Sequence, residues 1–162
     1  RGRMKIQYQH IGTIFSPYEN REGMPIQPSG AAGVNGKIVV KREYEAGLQD
    51  LEGFSHLVLL YHFHQAGDVK LLVVPFLDQT ARGLFSTRAP NRPNPIGLSI
   101  VGLDRIENNI LYISNVDILN QTPLLDIKPF VPDFDQPGAT RWGWLEKSSG
   151  DVKKKRSDDR FS

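Results

Sequence analysis

The chain has 162 residues, 39% of them hydrophobic and 23% charged, which is enough for one core of ordinary size and too few for two. Cysteine is absent, and this removes disulfides, thiolate catalysis and every cysteine-based metal or cluster site. The formal net charge is +2 and no apolar run approaches the ~20 residues of a membrane-spanning helix, so the expectation is a soluble, cytoplasmic protein.

Glycine and proline, 15 and 11 residues, exceed their usual share and predict many turns between short elements. Arg1, Gly2 and Arg3 precede Met4 and read as the remnant of an expression tag. Loose apolar alternation predicts a strand within residues 6–15, and the proline- and glycine-rich residues 17–36 read as a long early loop of the kind that tends to carry function. Residues 37–41 (KIVVK) read as a short strand, residues 44–53 as one or two helical turns, residues 56–63 (HLVLLYHF) as an apolar strand and residues 71–76 as another buried strand. Residues 98–106 and 110–118 flank Glu107-Asn108-Asn109. Asparagine tolerates the positive φ of a tight turn, so the pair predicts a hairpin. Short strands without alternating helices predict an all-β fold, a single-domain barrel or sandwich over residues 4–146. Residues 147–162 hold six basic and three acidic side chains and few apolar ones, which predicts a basic, mobile tail. Its KKKR run at residues 153–156 reads as a solvated face or as a contact for phosphates.

Common chemical motifs are missing: the sequence has no GxxxxGK[ST], no GxGxxG, no HExxH and no GxSxG. His62 and His64 stand two apart, which on one strand places both on one face. No carboxylate stands at ligand spacing, so packing or a hydrogen bond to a ligand is favoured over metal binding. Two segments carry more information. In residues 81–99 (ARGLFSTRAPNRPNPIGLS) Pro90, Pro93 and Pro95 restrict themselves and the residues before them, which predicts a stiff rod. Arg88 and Arg92 project from that rod, with no carboxylate anywhere in residues 79–99. A rigid pair of guanidinium groups suits a carboxylate or phosphate ligand, and a proline-stiffened connection with surface arginines fits equally well. Asn94, between two prolines, has an amide able to tie the rod to a neighbouring loop, and Gly97 lets the backbone enter the next strand closely.

The second segment, residues 117–132 (DILNQTPLLDIKPFVP), puts Asp126 and Lys128 two apart, on one face of a strand, with Ile127 on the other. Such a pair suits acid/base work, or it is a plain surface ion pair worth about 0–1 kcal/mol, and spacing alone favours the ion pair. Pro123, Pro129 and Pro132 bracket it.

Together these segments resemble the TrmO family (YaeB-like proteins), through IGTIFSPY, PIQPSG, LEGFSHLVLLYHFHQ, GLFSTRAPNRPNPIGLSIVGL and TPLLDIKPFVP, within residues 11–135. The resemblance implies an all-β barrel that binds S-adenosyl-L-methionine without a Rossmann fold. It implies a homodimer that methylates N6 of the threonylcarbamoyl-adenosine beside the tRNA anticodon. By the same resemblance, Gln27, Pro28, Ser29, His64, Gln65, Arg88, Leu98, Ser114, Asn115, Val116 and Asp117 build the methyl-donor pocket. Arg92 and Asn94 face the acceptor, and Asp126 and Lys128 are the catalytic candidates, with Asp126 receiving the N6 proton if a base is used. No metal is expected. Relatives often read DGTP and DIKPY where this chain has Asn120-Gln121-Thr122-Pro123 and ends its motif on Phe130, so a turn glycine and a phenol are replaced. A non-catalytic tRNA- or nucleotide-binding barrel, and a methyltransferase with another acceptor, are the competing readings.

Overall fold

The computed structural model describes residues 4–22, 24, 33–76 and 78–147. Eight strands are ordered along these residues: β1 (Gly12–Phe15), β2 (Asn35–Val40), β3 (His56–His62), β4 (Leu72–Val73), β5 (Arg82–Gly83), β6 (Ile96–Glu107), β7 (Ile110–Ser114) and β8 (Thr122–Pro129). Six of them close into an antiparallel barrel in the order β1-β2-β7-β6-β3-β8, while β4 and β5 pair only with each other. The expected all-β barrel is therefore present.

Alternation decides which side chains fill it. On β3, Leu57, Leu59 and Tyr61 point inward and are buried, while Val58, Leu60 and His62 lie between inside and solvent. Opposite them on β6, Gly97, Ser99 and Val101 pair with Tyr61, Leu59 and Leu57 and share that inner face. Ile14, Ile38, Val40, Leu111, Ile113 and Leu124 complete a lining with almost no exposed surface, where truncating one leucine to alanine costs about 2–5 kcal/mol. A bulge between Leu60 and Tyr61 resets the β3–β8 register so that Leu124, not Leu125, opposes Tyr61.

The two ends of the barrel differ. One is closed by 3-10 turns at Arg42–Leu48 and Leu51–Gly53 and by the predicted β6–β7 hairpin. There Asn108 takes φ 56° and the Asn109 amide donates to the Val40 carbonyl at 2.7 Å. At the other end lie the end of β1, the start of β2, the end of β3, the start of β6, the end of β7 and the start of β8. The β1–β2, β3–β6 and β7–β8 connections open there.

Three expectations are corrected. Residues 71–76 do not form a buried strand: only Leu72–Val73 is extended, in the β4–β5 ribbon, and Leu71, Leu72 and Val74 are exposed. The barrel is closed without them, so this ribbon has only its own small core of Val73, Leu84 and Ala89. The strand expected within residues 6–15 is confined to Gly12–Phe15, because β8 offers partners to β1 only from Thr122 to Leu124 and then runs on along β3. The second hairpin strand stops at Ser114, where Asn115 at φ 59° turns the chain away. Among the described residues no helix is long and apolar enough to cross a membrane.

Candidate active site at the open end of the barrel

Loops at the open end are stitched to one another. Asn120 accepts from the Ser16 amide at 3.1 Å with its side chain, and its own amide donates to the Tyr18 carbonyl at 2.7 Å. Asn115 accepts from the Gly33 amide at 3.1 Å. Arg21 donates to the Gln65 carbonyl, so the early loop crosses the mouth to the segment after β3. Gln27, Pro28 and Ser29 of that loop lie outside the described residues.

The proline segment is stiff but not straight. The Arg92 amide donates to the Pro90 carbonyl and the Ile96 amide to the Asn94 carbonyl, both at 2.8 Å, giving two three-residue turns where a rod was expected. The tie to the neighbouring loop comes from Asn91, not Asn94. Buried Asn91 accepts from the Gly67 amide at 3.1 Å through its side chain and from the Lys70 amide at 3.2 Å through its carbonyl. Asn94 is exposed. The Asn91 Nδ2 is buried without a partner among the described residues, a donor left over between the proline segment and the loop at residues 67–70.

Arg88 and Arg92 have different fates. Arg92 folds back and donates from one nitrogen to the Thr87 and Ala89 carbonyls at 3.0 and 2.9 Å, with its guanidinium 5.7 Å from the Phe85 ring centre. It fastens the loop it stands on. Arg88 is exposed, has no hydrogen-bond or ion-pair partner among the described residues, and its charge is felt at the Tyr61 hydroxyl.

Beneath Arg88 lies a chain of polar groups. The Tyr61 hydroxyl is 2.8 Å from Ser99 Oγ, and Ser99 donates to Asp117 Oδ1 at 2.7 Å. Desolvation pushes the Asp117 carboxyl up to about 6, against the downward pull of the Ser99 hydrogen bond. Burial likewise pushes the Tyr61 phenol up, with the Asp117 charge adding to it. Gly97 makes room for this chain, since a Cβ there would run into the Tyr61 ring and come within 2.8 Å of Phe63 Cζ. Tyr61 and Ser99 were not singled out from the sequence. Two hydroxyls at inward positions of otherwise apolar strands were the available signal.

His64 lies past the end of β3, in the turn, so it does not share a strand face with His62. Its Nδ1 is 3.4 Å from Thr122 Oγ1, whose proton goes to the Leu119 carbonyl at 2.7 Å. Loss of water and the neighbouring His62 hold His64 below the usual imidazole value, hence neutral at pH 7. His64, Gln65, Arg88 and the segment Ser114, Asn115, Val116 and Asp117 therefore share one rim; buried Val116 packs into the core.

Asp126, Lys128 and Leu98 lie elsewhere. Asp126 pairs with Leu60 and Lys128 with Val58, on the outer face of β8, and Leu60 pairs with Leu98 on β6. Leu98 and Asp126 thus flank Leu60 on the outer wall, two strand spacings or about 10 Å apart. Lys128 Nζ meets Asp126 Oδ2 at 2.7 Å with side chains 60% and 43% exposed, an ion pair in contact with water. The wall around it is apolar, with Ile96 and Leu98 38% and 44% exposed.

The profile of the tRNA-methyltransferase O N-terminal domain family matches residues 13–136. The chain belongs to the TrmO family. A probable S-adenosyl-L-methionine-binding protein of Pyrococcus abyssi is 49% identical over 98% of this chain and 86% of its own length. The tRNA (adenine(37)-N6)-methyltransferase of Escherichia coli is 38% identical over 78% of this chain. The crystal structure of TrmO from Pseudomonas aeruginosa superposes with a TM-score of 0.74 at 36% identity, over 87% of this chain. This chain spans 58% of the E. coli TrmO relative and 63% of the P. aeruginosa chain. Gln121, at the position where the family resemblance implies a turn glycine, stands at φ 63°, so the turn is kept and its strain is accepted. Phe130 keeps the ring without the phenol and packs edge-on against His56 at 6.3 Å.

Proposed function

We propose that the chain is an S-adenosyl-L-methionine-dependent methyltransferase that modifies N6 of the threonylcarbamoyl-adenosine beside the anticodon of tRNA, in the cytoplasm and as a homodimer. The observation that carries this reading is the gathering of Asp117, Arg88, His64 and Gln65 on one rim of a TrmO-family barrel. The rim fits the donor on its own chemistry. The Asp117 carboxylate accepts from ribose hydroxyls, and Arg88, unpaired among the described residues, meets the amino-acid carboxylate. When bound, S-adenosyl-L-methionine supplies an electrophilic methyl group. The protein's own contribution is alignment and exclusion of water, which account for a large share of the acceleration of a displacement.

Leu98 and Asp126 belong to the outer wall and so stand on the other side of the strands from Asp117 and Ser99. A second copy seated on the apolar wall of Ile96, Leu98 and Leu60 would carry its own rim against this surface, which is the support for a dimer with composite sites. In that arrangement Asp126 takes the N6 proton and Lys128, held by it, meets an acceptor anion. Nucleoside mass spectrometry of tRNA incubated with protein and S-adenosyl-L-methionine tests the whole reading. N6-methylation of the threonylcarbamoyl nucleoside is expected, reduced at least tenfold in Asp126→Asn. Donor binding with no modified tRNA nucleoside would leave a methyltransferase with another acceptor, and no donor binding would leave a nucleic-acid-binding barrel.

A further inference from the structure

Two hydroxyls sit among the otherwise apolar inward positions of β3 and β6. Ser99 is 1% and Tyr61 6% exposed, and the inward positions beside them on the same strands are Leu57, Leu59 and Val101. A buried hydroxyl adds little to stability and costs about 1–3 kcal/mol if left unpaired, so phenylalanine and alanine would suit a barrel that needed only to be filled. The hydroxyls are paired in one direction. Ser99 gives its single proton to the Asp117 carboxylate, so the Tyr61 hydroxyl must donate to Ser99 Oγ. Each donor polarises the next, and the charge at the end of the row makes the last bond the strongest. The row is anchored at its far end too: the Tyr61 ring stands edge-on to Phe63 at 5.6 Å and occupies the space that Gly97 leaves open.

We propose that Ser99 and Tyr61 are positioning residues for the methyl donor: a one-way hydrogen-bond row, Tyr61 to Ser99 to Asp117, aims the carboxylate at the donor's ribose and keeps it charged. This rests on the reading of Asp117 as a donor-binding group. Among the described residues the groups facing this carboxylate are Tyr61 from β3, Ser99 from β6 and, through its field at Tyr61, Arg88 from the proline segment. On the same rim His64 turns its Nδ1 toward Thr122 of β8. The Asp117 carboxylate is desolvated and its charge is favoured by the Ser99 proton. Removing that proton therefore moves its titration upward and weakens the donor complex most at the acid end.

Calorimetric titration with S-adenosyl-L-methionine between pH 5 and 8 tests this on the wild type, Ser99→Ala, Tyr61→Phe and the double variant. Wild-type affinity is expected to fall about tenfold per pH unit below about pH 6. In Ser99→Ala the fall begins about one pH unit higher, so affinity drops about twofold at pH 7 and about tenfold at pH 5, while Tyr61→Phe moves the same way by a smaller amount. The double variant leaves no orphan hydroxyl, so it keeps the fold and still shows the displaced profile. Wild-type affinity and pH profile in the folded double variant overturn the proposal while leaving donor binding intact. Absence of donor binding by the wild type at every pH overturns the donor reading and this proposal with it.

Discussion

Asp117→Asn is expected to make the unliganded protein more stable while removing most of its donor affinity. The side chain changes by one atom, and the Ser99 proton still finds an oxygen to donate to. What disappears is a charge held out of water. A carboxyl moved from 3.8 to about 6 corresponds to about 3 kcal/mol of unfavourable charging in the folded state. The folded chain binds this proton more tightly than the unfolded chain, so the wild type loses stability as the pH rises from about 4 through about 6. Urea denaturation of both proteins across pH 4–8 reads the difference directly. The curves should coincide near pH 4, separate through pH 5–6, and differ by up to about 3 kcal/mol at pH 7.5, with the variant the more stable. A variant of equal or lower stability at pH 7.5 would refute the desolvated carboxylate and the argument built on it.

The two arginines of the proline segment should separate in their effects. Arg92→Ala loses two charge-assisted bonds to carbonyls and is expected to lower stability by about 2 kcal/mol in thermal or urea melts. Arg88→Ala, with no partner to lose among the described residues, should stay within about 0.5 kcal/mol of wild type and weaken donor binding at least tenfold. Gly97→Ala drives a methyl group into the Tyr61 ring and should cost about 1–3 kcal/mol in the same melts. Gln121→Gly relieves a left-handed residue and is expected to raise stability by about 1 kcal/mol, with donor affinity unchanged.

The hairpin at Asn108, the apolar strand over residues 56–63 and the helical turns within residues 44–53 were legible because each depends on neighbours in the chain, whereas the continuous apolar run did not mark residues 57, 59 and 61 as its inward face. The barrel itself was implied by the family resemblance and not by local pattern, since its closure rests on pairings such as Gly12 with Leu124 that no local pattern encodes. Residues 71–76 show the limit of apolar content: the composition suits a buried strand, and with the sheet already closed the segment is left with two paired residues. The site followed the same rule. The rim residues were marked by motif, whereas Ser99 meets Tyr61 only through the β3–β6 register, 38 positions apart in sequence. Asn91 and Arg92 show that a motif marks a segment without dividing its labour. Proline spacing drew attention to Asn94, but burial on the loop side made Asn91 the tie and turned Arg92 inward.

A ring of strands hydrogen-bonded all the way round places the ligand-facing rim on top of a rigid aliphatic plug, with every rung of the ladder supporting the next. Loops above such a plug are free to diverge in length and charge without disturbing the seat of Asp117. Replacing those loops leaves the aliphatic plug untouched, whereas a bulkier residue at Gly97 is felt first by Tyr61 and through it by Ser99.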